Sequence, residues 1–105
     1  MDDNTKYAVE ISDRARRMLL SHVRFLADVN TSAADRLVDR LMEGIRSLSF
    51  MPERCPFFQE DFIPPNKYHK LYIEKWYLVL YQIKNRTVYV EYIVDCRQDY
   101  KWLMK

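Results

Sequence analysis

The chain has 105 residues, of which 49% are hydrophobic and 14% aromatic: room for one domain with one core, and too apolar for a disordered segment. One Gly and four Pro argue against a turn-rich β-sandwich or barrel, and no apolar run reaches the length of a membrane span. The formal net charge of +2 is uneven: residues 1–66 carry 9 Lys+Arg against 11 Asp+Glu, and residues 67–105 carry 8 against 4, a weak positive footprint.

The opening MDDNTKYAVE lacks the basic and apolar regions of a secretory signal, so the sequence reads as a complete cytoplasmic chain with no membrane contact. Its first element is KYAVEI (6–11), where Tyr7, Val9 and Ile11 alternate with Lys6, Ala8 and Glu10 at the period of a half-buried strand. Ser12 then supplies an N-cap hydroxyl and Asp13 a dipole-favoured charge. Ala15, Met18, Leu19, His22 and Leu26 share one helical face, so His22 reads as a core histidine.

A second helix is predicted after VNTSAAD, where Ser32 and Asp35 have the spacing of a capping box. Its stripe is Ala34, Leu37, Val38, Leu41, Ile45 and Leu48, with mixed charges on the outer face. Two such helices on a short link form an antiparallel hairpin. Residues 49–66 hold all four prolines and no period, hence a loop. Phe50, Phe57, Phe58 and Phe62 make that loop too apolar to stand free; it lies over the core edge or meets a partner.

Three strands follow. KYHKLYIEK (67–75) sets Tyr68, Lys70, Tyr72 and Glu74 against His69, Leu71 and Ile73. WYLVLYQIK (76–84) is nearly all apolar, as a central strand is. Asn85-Arg86 is a two-residue turn, Asn tolerating the positive φ that such turns require, and TVYVEYIVD (87–95) returns. The order β-α-α-β-β-β predicts an α+β domain spanning residues 1–105: a mostly antiparallel sheet of about four strands packed against a helical hairpin, with a short C-terminal tail. Cys55 and Cys96 lack metal-ligand spacing and read as two thiols, so neither a metal nor a cofactor is expected.

That order, with a proline after the second helix, YHKLYIEKWYLVLYQI and then VYVEYIVDCRQDY, resembles the RelE/ParE superfamily of bacterial toxins from Tyr7 to Leu103. The resemblance implies a toxin of a type II toxin–antitoxin pair, neutralised by a cognate antitoxin through which alone it would reach operator DNA. RelE-like members cut mRNA on the ribosome without metal; ParE-like members poison DNA gyrase by protein contact.

Metal-free RNA cleavage needs a base for the 2′-OH, positive charge around the phosphorane and a proton for the leaving oxygen. Arg97 falls where the family carries an arginine, which implies phosphate binding and transition-state stabilisation; its other reading is a surface arginine paired with Asp95 or Asp99. Tyr100 matches a ribonuclease-branch tyrosine that stacks on a base or moves a proton, or else it anchors the tail. Lys70 is the better phosphate contact of the second strand. Lys67, His69 and Lys75 are the candidate substrate contacts; the lysines read otherwise as solvated, and His69, on the other face from Lys70, as a half-buried histidine. With Lys70, Arg97 and Tyr100 available, the endoribonuclease stands first, the gyrase inhibitor is the alternative, and an inactive member is third. Asp99, and the lack of a histidine near the C-terminus, count against the first.

Overall fold

A computed structural model of the chain describes residues 6–97. Strand β1 (Ala8–Ile11) leads into helix α1 (Asp13–Ala27) and helix α2 (Thr31–Ser47). After a single 3-10 turn at Pro52–Arg54 come strands β2 (His69–Ile73), β3 (Tyr77–Lys84) and β4 (Thr87–Asp95). Ser12 caps α1 as expected, its Oγ accepting the Ala15 N–H at 3.0 Å. The cap of α2 is Asn30 and not Ser32: Asn30 Oδ1 accepts the Ala33 N–H at 3.0 Å. Asn and Ser cap about equally well, so the residue that holds extended backbone at the end of the link takes the role and leaves Ser32 inside the helix.

The four strands form one mixed sheet in the order β1-β4-β3-β2. Strands β2, β3 and β4 make an antiparallel meander, and β1 joins parallel to β4 with Ile11 opposite Val90. Asn85 and Arg86 turn the chain between β3 and β4 with φ of 51° and 60°. Arginine is poorly suited to left-handed backbone, and here contacts hold it. The Arg86 Nη2 donates to the Lys6 carbonyl at 3.1 Å, and its guanidinium lies 4.7 Å from the Tyr7 ring centre.

Strand β4 outruns β1, which would leave its second half with a bare edge. Helix α1 covers that edge with side chains. Ser12 Oγ donates to the Glu91 carbonyl at 3.3 Å, and His22 Nε2 donates to the Ile93 carbonyl at 2.7 Å. His22 is therefore buried, as its helical face predicts, because its ring supplies a donor that the sheet lacks there. The pairing also slips between Leu80 and Tyr81, which pair with Tyr92 and Val90 and leave Glu91 as a bulge.

The hairpin lies on one face of the sheet. Ala15, Leu37, Leu41, Ile45 and Leu48 pack there against Val79, Tyr81, Val88, Val90 and Ile93. The single glycine, Gly44, allows the close approach of α2: a Cβ on it would lie 2.6 Å from Ile73 Cδ1. A smaller cluster occupies the opposite face, where Phe58 of the loop meets Tyr68, Leu78, Leu80 and Val94. The loop thus lies over the core edge, and Tyr68, expected on a polar face, is only 6% exposed beneath it.

Candidate functional site

Arg97 stands just past the end of β4, and the carboxylate of Asp95 holds it. Its Nε donates to Asp95 Oδ1 and its Nη2 to Asp95 Oδ2, both at 3.1 Å, and its backbone N–H reaches Oδ1 at 2.9 Å. Nη2 also bonds the Tyr77 hydroxyl at 3.2 Å. The guanidinium lies over the rings of Trp76 and Tyr77, at 5.3 and 5.7 Å from their centres. Asp95 is 2% exposed, so this carboxylate depends on its partners for stabilisation.

The charges respond accordingly. The bonds to Asp95, working against partial burial, raise the Arg97 pKa above its ordinary value. Burial, with the Asp95 charge added, raises that of Tyr77, and Arg97 opposes the rise. Arg97 lines a cavity of about 270 Å³ with Leu26, Ala33, Arg36, Leu37, Glu74 and Trp76, on the side of the sheet where the helices pack.

Lys70 lies on the other face. Its neighbour His69 points to the helix side, where it stacks on Tyr81 at 5.2 Å, and alternation along β2 turns Lys70 away. Lys70 and Arg97 therefore do not share a groove. His69 is 9% exposed, stacks on Phe57 at 4.2 Å and donates from Nδ1 to the Cys55 carbonyl at 2.7 Å. Lys67 and Lys75 sit against Tyr68 and Trp76, with Nζ at 5.3 and 5.4 Å from those ring centres. Tyr100 lies outside the described residues, as does Asp99. Among the described residues no group of His, Cys, Asp and Glu is placed to hold a metal ion, and both cysteines are free thiols. No described helix is long and apolar enough to cross a membrane.

Two features escaped the sequence reading. The first is a cavity of about 660 Å³ at the start of α1, lined by Glu10, Ile11, Ser12, Arg14, Arg17, Lys84, Tyr89, Val90 and Glu91. The signal for it was weak: Arg14 and Arg17 occupy the outer face of a helix, where charge is the ordinary finding. The second is a set of exposed apolar residues on the hairpin and the β2–β3 turn. Phe25 is 58% exposed, Val29 77% and Trp76 43%. Gaps in the polar face of α1 at Leu20 and Phe25 are the trace they leave in the sequence.

A chain described as "Chromosomal ParDE TA system from P. aeruginosa" superposes with a TM-score of 0.70 over 87% of this chain and 97% of that one, at 13% identity. No curated protein matches by sequence. The sequence model of the family described as "ParE toxin of type II toxin-antitoxin system, parDE" matches residues 9–100. The chain belongs to that family: it is a ParE-type toxin, and membership implies a cognate antitoxin as its partner.

Proposed function

We propose that this toxin acts by protein–protein contact, with DNA gyrase as its target, and that it does not cleave RNA. The observation that carries this reading is the commitment of Arg97. Cleavage needs an arginine free to gather charge at a phosphorane, beside groups that move protons. Arg97 is instead tied through Nε and Nη2 to a buried carboxylate, and Lys70 projects from the opposite face. The family match at residues 9–100 favours the same branch.

A contact mechanism needs exposed apolar surface that a partner can cover. Phe25, Val29 and Trp76 supply it, at the end of the molecule where Arg36 and Arg97 line their cavity. The test is inducible expression in bacteria with pulses of labelled thymidine and labelled amino acid. The reading predicts that thymidine incorporation falls first, and that Lys70→Ala arrests cells as wild type does. Amino-acid incorporation falling first, with relief by Lys70→Ala, would restore the ribonuclease.

A further inference from the structure

A cavity of about 660 Å³ at the start of α1 lies away from Arg97, and two of its cations are unpaired where Arg97 is paired. On the face of the sheet opposite the helical hairpin, Gln82, Lys84, Tyr89 and Glu91 stand beside Glu10 of β1. The first turns of α1 bring Arg14 and Arg17 to the rim. Arg14 lies 4.8 Å from the Tyr92 ring centre. Arg17 and Lys84 have no hydrogen-bond or ion-pair partner among the described residues. The carboxylates are placed differently. Glu91 is held by Gln82 Nε2 in a short hydrogen bond and by the Tyr68 hydroxyl at 3.4 Å, and it forms no ion pair with these cations among the described residues. Glu10 sits at the β1 edge.

We infer that this cavity is a docking site for carboxylate side chains of the antitoxin, with Arg14, Arg17 and Lys84 as the recognition residues. The inference rests on the antitoxin partner that family membership supplies, and adds where and by what chemistry that partner is held. Three observations favour a peptide over a nucleic acid. Two carboxylates line the same cavity, and a continuous phosphate backbone would be repelled by both, whereas a peptide of mixed charge places an acid on the cations and a base at Glu10. The Tyr89 ring in the lining suits the methylenes of Glu or Asp. A volume of about 660 Å³ holds a few side chains. Arginine and lysine at an open rim favour a salt-sensitive contact that guides encounter and register.

The test is the affinity of the full-length toxin for the antitoxin of its own operon, by titration calorimetry at two salt concentrations. The probes are wild type, Arg17→Glu/Lys84→Glu, and a control of equal charge change elsewhere, Arg46→Glu/Lys75→Glu. Both positions in each pair are exposed, and circular dichroism checks that the fold is kept. The inference predicts that Arg17→Glu/Lys84→Glu weakens binding at least 30-fold, roughly 2 kcal/mol, with a flatter salt dependence. The control should stay within threefold and Arg17→Lys within twofold of wild type. Equal weakening by both double variants would reduce the effect to net charge and overturn the site. Unchanged affinity would do the same. If wild type itself fails to bind the antitoxin, the partner reading falls and this site falls with it. In parallel, a fluorescent single-stranded 12-mer of RNA is titrated. RNA binding that Arg17→Glu/Lys84→Glu abolishes, with antitoxin affinity intact, would assign the cavity to nucleic acid.

Discussion

The two faces of the sheet differ in how they hold Arg97 on one side and Arg17 with Lys84 on the other. On the helix-covered face, polar groups are fixed to partners: Arg97 to Asp95 and Tyr77, His69 to the Cys55 carbonyl, and Tyr81 through its hydroxyl to the Pro52 carbonyl at 2.6 Å. On the open face, Arg17 and Lys84 remain without such partners among the described residues. The difference follows from burial. Where the hairpin excludes water, an unpartnered polar group costs several kcal/mol, so pairing is enforced; where water reaches, a cation can wait for a ligand. Arg97, with the most conspicuous place in the sequence, is paired to a buried carboxylate, whereas the quieter Arg17 and Lys84 carry no such pair among the described residues.

The largest effect should come from breaking the enforced side. Asp95→Ala removes the acceptor of three Arg97 bonds. Arg97 is half exposed and water can solvate it, so the loss falls at the low end for a broken pair, about 3 kcal/mol. Thermal unfolding should drop by roughly 13 °C for a chain of this length. A drop of less than about 3 °C would mean that the pair is ornamental and that Arg97 is free for chemistry after all.

Next is the seam between α2 and β2. Gly44→Val puts branched carbon where even a Cβ would approach Ile73 Cδ1 to 2.6 Å. The expected cost is about 2 kcal/mol, read by chemical denaturation, and Ile73→Val should recover part of it by making room.

The smallest effect belongs to the open face and shows only at high pH. Burial, helped by Glu91, pushes the Tyr68 pKa up to about 12 from its ordinary 10. A raised tyrosine pKa means that the folded state keeps a proton the unfolded chain gives up. Tyr68 therefore contributes stability fully present below pH 10 and lost as the pH rises towards 12. The unfolding temperature should fall across that window, and Tyr68→Phe should make the fall shallower while leaving behaviour at neutral pH nearly unchanged. Because Tyr72, Tyr77 and Tyr81 are raised as well, the slope should diminish and not vanish. An unchanged slope would show that Tyr68 titrates as it does in water.

Much of the architecture was legible because it rests on period and local chemistry. The stripes of α1 and α2, the apolar run of β3 and the Asn85 turn carry their own signals, and they fall where the sequence puts them. The cap of α2 was ambiguous because Asn30 and Ser32 are both competent; only the backbone of the link decides. Gly44 passed as a helical residue, since a lone glycine in a helical pattern does not say what comes close to it. The site was less legible for a stronger reason. Sequence lists cations, and availability depends on what the fold sets beside each. Arg97 is two residues from Asp95, so their pairing was readable as one alternative. That α1 begins beside the open face, bringing Arg14 and Arg17 to Lys84, depends on β1 lying parallel to β4, a tertiary fact without a local mark.

The most direct measurement is plasmid supercoiling by purified DNA gyrase in the presence of the purified toxin, wild type against Phe25→Asp/Val29→Asp. Contact through the exposed hairpin predicts inhibition by wild type and loss of inhibition in the double variant, whose changes lie at surface positions that leave the core intact. Unimpeded supercoiling, together with cleavage of mRNA on translating ribosomes by the same preparation, would contradict the account.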